Sequence, residues 1–243
     1  MAKAVYTTPG LAIADVEAAV AAALSWDVTN ATQLANIDAA ITVAGQSAAI
    51  YGGKTWWWLR NTAAFATVAS TAGYTLRTVN TNAMADLFAV EGIWRDATRH
   101  RMVQIPKWKY DDLNDAAIAA PNRPVRYAIG ADMTVYLWPT PDAVYTMDVS
   151  YVRRHSKIAS AGSSDSALIV PAEFQWGVYV IGATWLLKND SINPMALSQS
   201  PQWVETMRQM EAADPTENYD LNSDNRNGRT EGFDPDPSRD YPL

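Results

Sequence analysis

The sequence contains no cysteine, which excludes disulfides, cysteine-ligated zinc and thiol nucleophiles together. Histidine is nearly as scarce. His100 and His155 are embedded in "RHR" and "RRHSK", and neighbouring arginines disfavour a protonated imidazole. No HExxH, Walker loop or GxSxG occurs, so the common hydrolytic and nucleotide-dependent chemistries have no motif to stand on. The serines and aspartate of "AGSSDSA" have the composition of a linker. Asp111, Asp112 and Asp115 form the densest carboxylate cluster of the body; at helical spacing they could bind a cation, although a solvated or capping face suits them better. The residues therefore point to no enzyme and no cofactor.

Long apolar runs are missing too. No uncharged stretch approaches the roughly 20 apolar residues of a membrane span, and Phe174 to Leu187 reads as a buried helix. "LAIADVEAAVAAALSWD" imitates a signal peptide, but Asp15 and Glu17 interrupt it and only Lys3 gives a basic start. No membrane partner is expected. Phenylalanine is also sparse: four, against ten tryptophans and eleven tyrosines. Trp and Tyr join a large apolar body to one polar handle and are enriched where surfaces meet partners.

What is present divides the 243 residues by pattern. Residues 8–26 read as a helix, with Thr8 and Pro9 as cap and first turn and a stripe of Ile13, Val16, Val20 and Leu24. A second helix opens at Asn30, with Gln33 completing a capping-box pattern. Its stripe is Leu34, Ile37, Ile41, Ala44, Ala48 and Tyr51, ended by Gly52-Gly53. From Trp56 to Ile158, Thr, Val, Tyr and Trp alternate between recurrent turns. "VRYAI", "MTVYLW" and "VYTMDVSYV" read as a three-stranded meander, with "PTPDA" as its second turn. Residues 86–105 fit a hairpin, "DLFAVEGIW" and "MVQI" flanking "RDATRH", or a helix over the first part, and "KYDDLND" fits one helical turn. Helices return at Pro171, with Phe174, Val178, Ile181 and Trp185 on one stripe, and at Ser200-Pro201, with Trp203, Met207 and Met210. Gly177 and Gly182 lower helix propensity and signal close packing.

The expectation is an α+β fold: a helical bundle with an inserted antiparallel β region and an extended C-terminal tail. Its parts are an N-terminal helical hairpin (1–55), the β region (56–160), C-terminal helices completing the bundle (161–213) and an acidic tail (214–243). The tail holds eight acids against three bases, −5 of the total −7, which leaves −2 for residues 1–213. It has too little apolar surface to fold alone, and could span on the order of 100 Å. If ordered, it needs a support: a neighbouring subunit or another protein, or else the chain's own body.

Three places suggest contacts. "KTWWWLR" sets Trp56, Trp57 and Trp58 in a row that no single apolar face can hide, so an interface role is expected for them. The same role is expected for Tyr219, Leu221, Phe233, Tyr241 and Leu243 of the tail. Basic clusters interleaved with aromatics comprise Arg95, Arg99, Arg101, Lys107 and Lys109, then Arg153 and Arg154, suited to phosphate or to an acidic partner.

"RPVRYAIGADMTVYLWPTPDAVYTMDVSYVRR", followed by "LIVPAEFQWGVYVIGATWLLKND", resembles the head-to-tail adaptor proteins of tailed bacteriophages. The matching positions are Tyr127, Leu137, Pro139, Pro141, Asp142, Tyr145 and Tyr151, then Pro171, Glu173 and Phe174, with Ala72 to Leu76 as the entry to the β region. The likeness spans roughly residues 72 to 190, without the opening hairpin or the tail. It implies a structural virion protein at the head–tail junction, made in the host cytoplasm. It also implies a homo-oligomeric, dodecameric ring below the portal protein that receives a tail nozzle or tail tube protein. Double-stranded DNA would pass through its channel without being read. Two other classes stay open: a carbohydrate-binding β module with exposed aromatics, and a nucleic-acid-binding protein using the Arg/Lys clusters.

Overall fold

The computed structural model describes residues 10–79, 84–95, 100–115, 120–158, 167–190 and 192–214. It is α+β, with a helical layer built around one apolar core and two sheets built around another.

Alanine-rich α1 (Ile13–Leu24) and α2 (Ala31–Ile50) form the first part of the helical layer. The first helix starts later than its sequence suggests. Its N-cap is Ala12, without a side-chain cap, because Leu11 N–H is drawn instead to Gln175 Oε1 at 2.7 Å. Thr8 and Pro9 lie outside the described residues. In α2 the Asn30 side chain caps as expected, accepting from the backbone N–H of Thr32 and Gln33. The Gln33 side chain, however, reaches past Asn30 to Asp27 N–H at 2.8 Å, so the reciprocal half of a capping box does not form.

The second half of the layer is one helical rod in three parts: α4 (Ala172–Gln175), a π-helical stretch (Trp176–Ile181) and α5 (Gly182–Lys188). The π segment changes the phase of the buried stripe. Of the expected Phe174, Val178, Ile181 and Trp185, only Val178 is fully buried. The inward face is instead Gln175, Val178, Tyr179, Ala183, Leu186 and Leu187. A short α6 (Pro194–Leu197) accepts the Trp185 indole N–H at Ala196 O, 2.9 Å away. Then α7 (Pro201–Ala212), capped by Ser200, buries Trp203, Met207 and Met210 as its spacing predicts. The glycines mark close crossings, as expected. A Cβ on Gly177 would stand 2.2 Å from Thr206 Oγ1, and one on Gly182 would stand 3.0 Å from the Ala44 Cβ.

The β region is a sandwich. One sheet has the order β1-β8-β3-β4: β1 (Arg60–Ala66), β8 (Thr146–Arg153), β3 (Leu87–Arg95) and β4 (His100–Arg101). The other has the order β2-β7-β6-β5: β2 (Gly73–Thr75), β7 (Thr134–Trp138), β6 (Arg126–Ile129) and β5 (Val103–Gln104). All pairs are antiparallel except β5 with β6. Alternating residues of both sheets meet in one core, with Phe65, Ile93, Met147, Val149 and Tyr151 facing Tyr74, Tyr127, Val135 and Leu137.

The expected meander is corrected here. β6 and β7 pair, but β8 belongs to the opposite sheet, between β1 and β3. Pro139 and Pro141 follow β7 directly and lack the N–H that a continuing ladder needs, so the chain crosses over rather than turning back. Within 86–105 the described residues hold strands and no helix: β3 and β4 pair as the expected hairpin, while β5 joins the second sheet. "KYDDLND" belongs to α3 (Lys107–Asp115), longer than the single turn expected, which packs Tyr110 against Ala128 on the outer face of the second sheet.

Candidate interaction surfaces

The tryptophan triplet is neither strand nor regular helix. Trp57–Leu59 form a 3₁₀ turn, and the row is folded into its own helical core. Trp56 is 0% and Trp58 6% exposed, their rings 6.5 Å apart and nearly parallel, while Trp57 meets Trp56 edge-on at 5.9 Å. The expectation of an interface role is corrected for Trp56 and Trp58: both are core residues without surface to offer. Trp57 is half-buried and keeps part of its indole outside.

Charges fix this turn from both sides. Lys54 Nζ sits 4.4 Å from the Trp56 ring and forms ion pairs with Glu211 at 3.3 Å and Asp214 at 3.6 Å. The Arg153 guanidinium donates to Trp58 O, Nη2 at 2.9 Å. A turn read as a candidate contact thus ties the last residue of β8 to the end of α7.

The basic residues do not share one face. In the β3–β8 register, Arg153 lies opposite Leu87 while Met147 lies opposite Arg95. Arg95 and Arg153 are therefore at opposite ends of the ladder, roughly 25 Å apart. Arg95 is buried, its guanidinium donating to Pro124 O. Lys107 is paired with Asp111 and lies over the rings of Tyr110 and Tyr136, on the second sheet; the pairing raises its pKa. Arg101, Lys109 and Arg154 are exposed. Arg99, Tyr219, Leu221, Phe233, Tyr241 and Leu243 lie outside the described residues. A single-strand binder needs a continuous cationic groove with stacking platforms, and the described cations are instead divided among three locations.

His100 is exposed at the start of β4, whereas His155 is enclosed in the helical core. His155 is 4% exposed. Its Nδ1 is 2.9 Å from Ser156 O, and since a carbonyl only accepts, Nδ1 carries the proton. Nε2 then accepts from the Tyr179 hydroxyl at 2.8 Å, which itself accepts from Val170 N–H. Burial first, and the Arg153 charge second, push the imidazole down to about 4. Sequence reasoning named the arginine but missed the burial. A second titratable group, Glu17, faces Asp38 between α1 and α2. Burial, and then the Asp38 carboxyl, raise it to about 7. Among the described residues, no three His, Asp or Glu groups come together to hold a metal. No described helix is long and apolar enough to cross a membrane.

A groove of about 480 Å³ runs where the helical layer meets the first sheet. Its walls are apolar, with Ile50 of α2 and Phe88 of β3 exposed by 71% and 60%, and Lys54, Arg153 and Arg154 edge it. No sequence signal isolates this site, because its two walls come from segments nearly 40 residues apart. Comparison with protein families matches the chain to the SU10 adaptor protein over residues 11–225. The chain belongs to the SU10 adaptor protein family. It is thus a phage head-to-tail adaptor, and the match takes in the opening helical hairpin that its sequence likeness did not reach. A search of curated proteins found no match. In this adaptor the tryptophan turn, the groove and the start of the tail are neighbours, all joined at Lys54.

Proposed function

We propose that the adaptor works as a closed homo-oligomeric ring, dodecameric as the resemblance to head-to-tail adaptors implies, seated below the portal at the virion neck. The ring prolongs the DNA channel and gives the tail nozzle or tail tube its platform. Double-stranded DNA passes through without being read. The observation that carries this function is the family match across residues 11–225, which covers the helical and β cores alike.

The surface supports it. Trp108, Val144, Trp176 and Met195 are 54–74% exposed, and they are distributed over α3, the crossover before β8, the π segment and α6. Ring contacts between unlike faces of adjacent copies would cover such side chains. Trp57 contributes its outer edge to the same contacts. Phe233, Tyr241 and Leu243 give the far end of the tail apolar anchors for a neighbour or the portal. The division of the chain into 1–55, 56–160, 161–213 and 214–243 then reads as bundle, sandwich, bundle and arm.

Electron microscopy of the purified full-length protein, alone and mixed with its portal, is the test. Ring particles that stack coaxially on the portal are expected. A monodisperse monomer that ignores the portal at micromolar concentration would remove the proposal.

A further inference from the structure

The geometry points to an occupant for the groove beside Lys54: the outward face of α3 from a second copy of the chain. Trp108 enters the groove, and Asp112 and Asp115 meet Arg154. The inference rests on the ring reading above and names the contact that joins neighbouring copies.

Three observations lead to it. First, α3 presents a face that its own protomer does not use. Tyr110 and Leu113 pack toward the second sheet. Trp108, Asp112 and Asp115, spaced by four and then three, share the opposite side of the helix. Trp108 is 65% exposed, and both acids are exposed. Asp111, next to this stripe, is already paired with Lys107.

Second, the groove complements that face. Ile50, Phe88 and Val152 give it apolar walls, and its volume of about 480 Å³ has room for an indole. Of its three cations, Lys54 is engaged by Glu211 and Asp214, and Arg153 by Trp58 O. Arg154 is exposed at the edge, where carboxylates arriving from outside can reach it. Trp and Arg are also the residue types that most often anchor interfaces.

Third, one copy cannot bring the two surfaces together. Leu87 and Tyr151 face the sandwich core, whereas Phe88 and Val152 line the groove on the other side of the first sheet. In the second sheet Tyr127 faces the same core, and Ala128 carries α3 on the outside. Groove and helix thus lie on opposite outer faces of the sandwich. Their meeting needs a second copy, and because the surfaces are unlike, the contact is heterologous. Each copy lends one helix and receives another, the condition under which repeated contacts close into a ring.

Two variants of the full-length chain test this by sedimentation velocity: Asp112→Arg/Asp115→Arg on the helix and Arg154→Glu in the groove. All three positions are exposed, so each variant should keep the wild-type circular dichroism spectrum. Alone, each sets like charges against one another and should need about 30-fold more protein to assemble. Mixed in equal amounts the two should assemble again, because every contact then pairs Arg with Glu or Asp with Arg. Trp108→Ala should need a similar excess of protein, and neither charge variant should rescue it. Assembly of either charge variant, or of Trp108→Ala, at the wild-type concentration would overturn the inference and leave the ring reading standing. A defect that mixing does not repair would do the same. A wild type that stays monomeric would remove both readings. Open wild-type chains, lost in each charge variant and regained on mixing, would uphold this contact and remove only the closed ring.

Discussion

In the helical layer the backbones meet through glycine and alanine. Gly45 leaves so little room that a Cβ there would stand 2.2 Å from His155 Nε2, and Gly177 is equally tight against Thr206. In the sandwich, large side chains meet across a gap: Phe65 and Tyr74 have ring centroids 5.2 Å apart, and Met147 and Leu137 are fully buried behind them. The helical layer also encloses polar groups that the sandwich core does not. These include His155 with Tyr179, the Glu17–Asp38 pair, and the indole N–H groups of Trp56, Trp58 and Trp203, which have no partner among the described residues. Close packing of small residues leaves no slack for growth, and buried titratable groups make stability depend on pH. The helical layer should therefore be the brittle, pH-sensitive half, and the sandwich the tolerant one.

The largest effects should come from adding volume. Gly45→Leu or Gly177→Val is expected to cost about 3 kcal/mol. Val149→Ile, inside the sandwich, should cost under about 1.5 kcal/mol. Urea unfolding compares them, and equal costs would erase the contrast between the regions.

Next come deletions at the tryptophan turn. Trp56→Ala should lose about 3–5 kcal/mol by leaving a cavity in the helical core. Trp57→Ala, already half outside, should lose less and weaken ring assembly instead. Sedimentation together with urea unfolding separates the two. A Trp57 variant that unfolds as easily as the Trp56 variant, yet still forms rings, would assign all three indoles to the core.

The pH dependence sharpens the comparison further. His155 is held near 4 in the folded chain against an ordinary 6.5, so the unfolded chain binds the extra proton first. Its contribution is present above pH 6.5 and disappears as pH falls to 4, by about 3 kcal/mol. Glu17 behaves oppositely: raised to about 7, it contributes below pH 4.5 and loses that contribution as pH rises through 7. Urea midpoints from pH 4 to 8 should flatten on the acid side in His155→Gln and on the alkaline side in Glu17→Gln. If neither variant changes the profile, the pH-sensitive groups lie elsewhere. The smallest effect belongs to the sheet surface. Arg60 and Glu91 form a 2.9 Å ion pair, and Arg60→Ala should cost less than about 1 kcal/mol, less still in high salt.

Local chemistry was legible in the sequence wherever it decides structure locally. Asn30 and Ser200 cap because a short side chain satisfies the next free N–H groups whatever the tertiary context. The stripe of α7 and the alternation of β8 follow from period alone. The partner of β8 was not legible, because Met147, Val149 and Tyr151 need one apolar face and do not specify which sheet supplies it. The π segment escaped for a similar reason: its extra residue per turn is selected by packing across Gly177 and Gly182, while the spacing of Phe174, Val178, Ile181 and Trp185 suits an unbroken helix. The basic clusters were adjacent along the chain, but strand register separates Arg95 from Arg153. The two walls of the groove likewise come together only on folding.

The strand β8 holds the centre of the first sheet and then runs straight into the helical layer, with Arg153 fastened to Trp58 and His155 locked beneath Gly45. A load on the sandwich can thus pass from β8 into the helical layer through two cross-links close to its end, Arg153 to Trp58 and His155 to Tyr179. Pulling on the sandwich would then strain the helical core before the strand itself gives way.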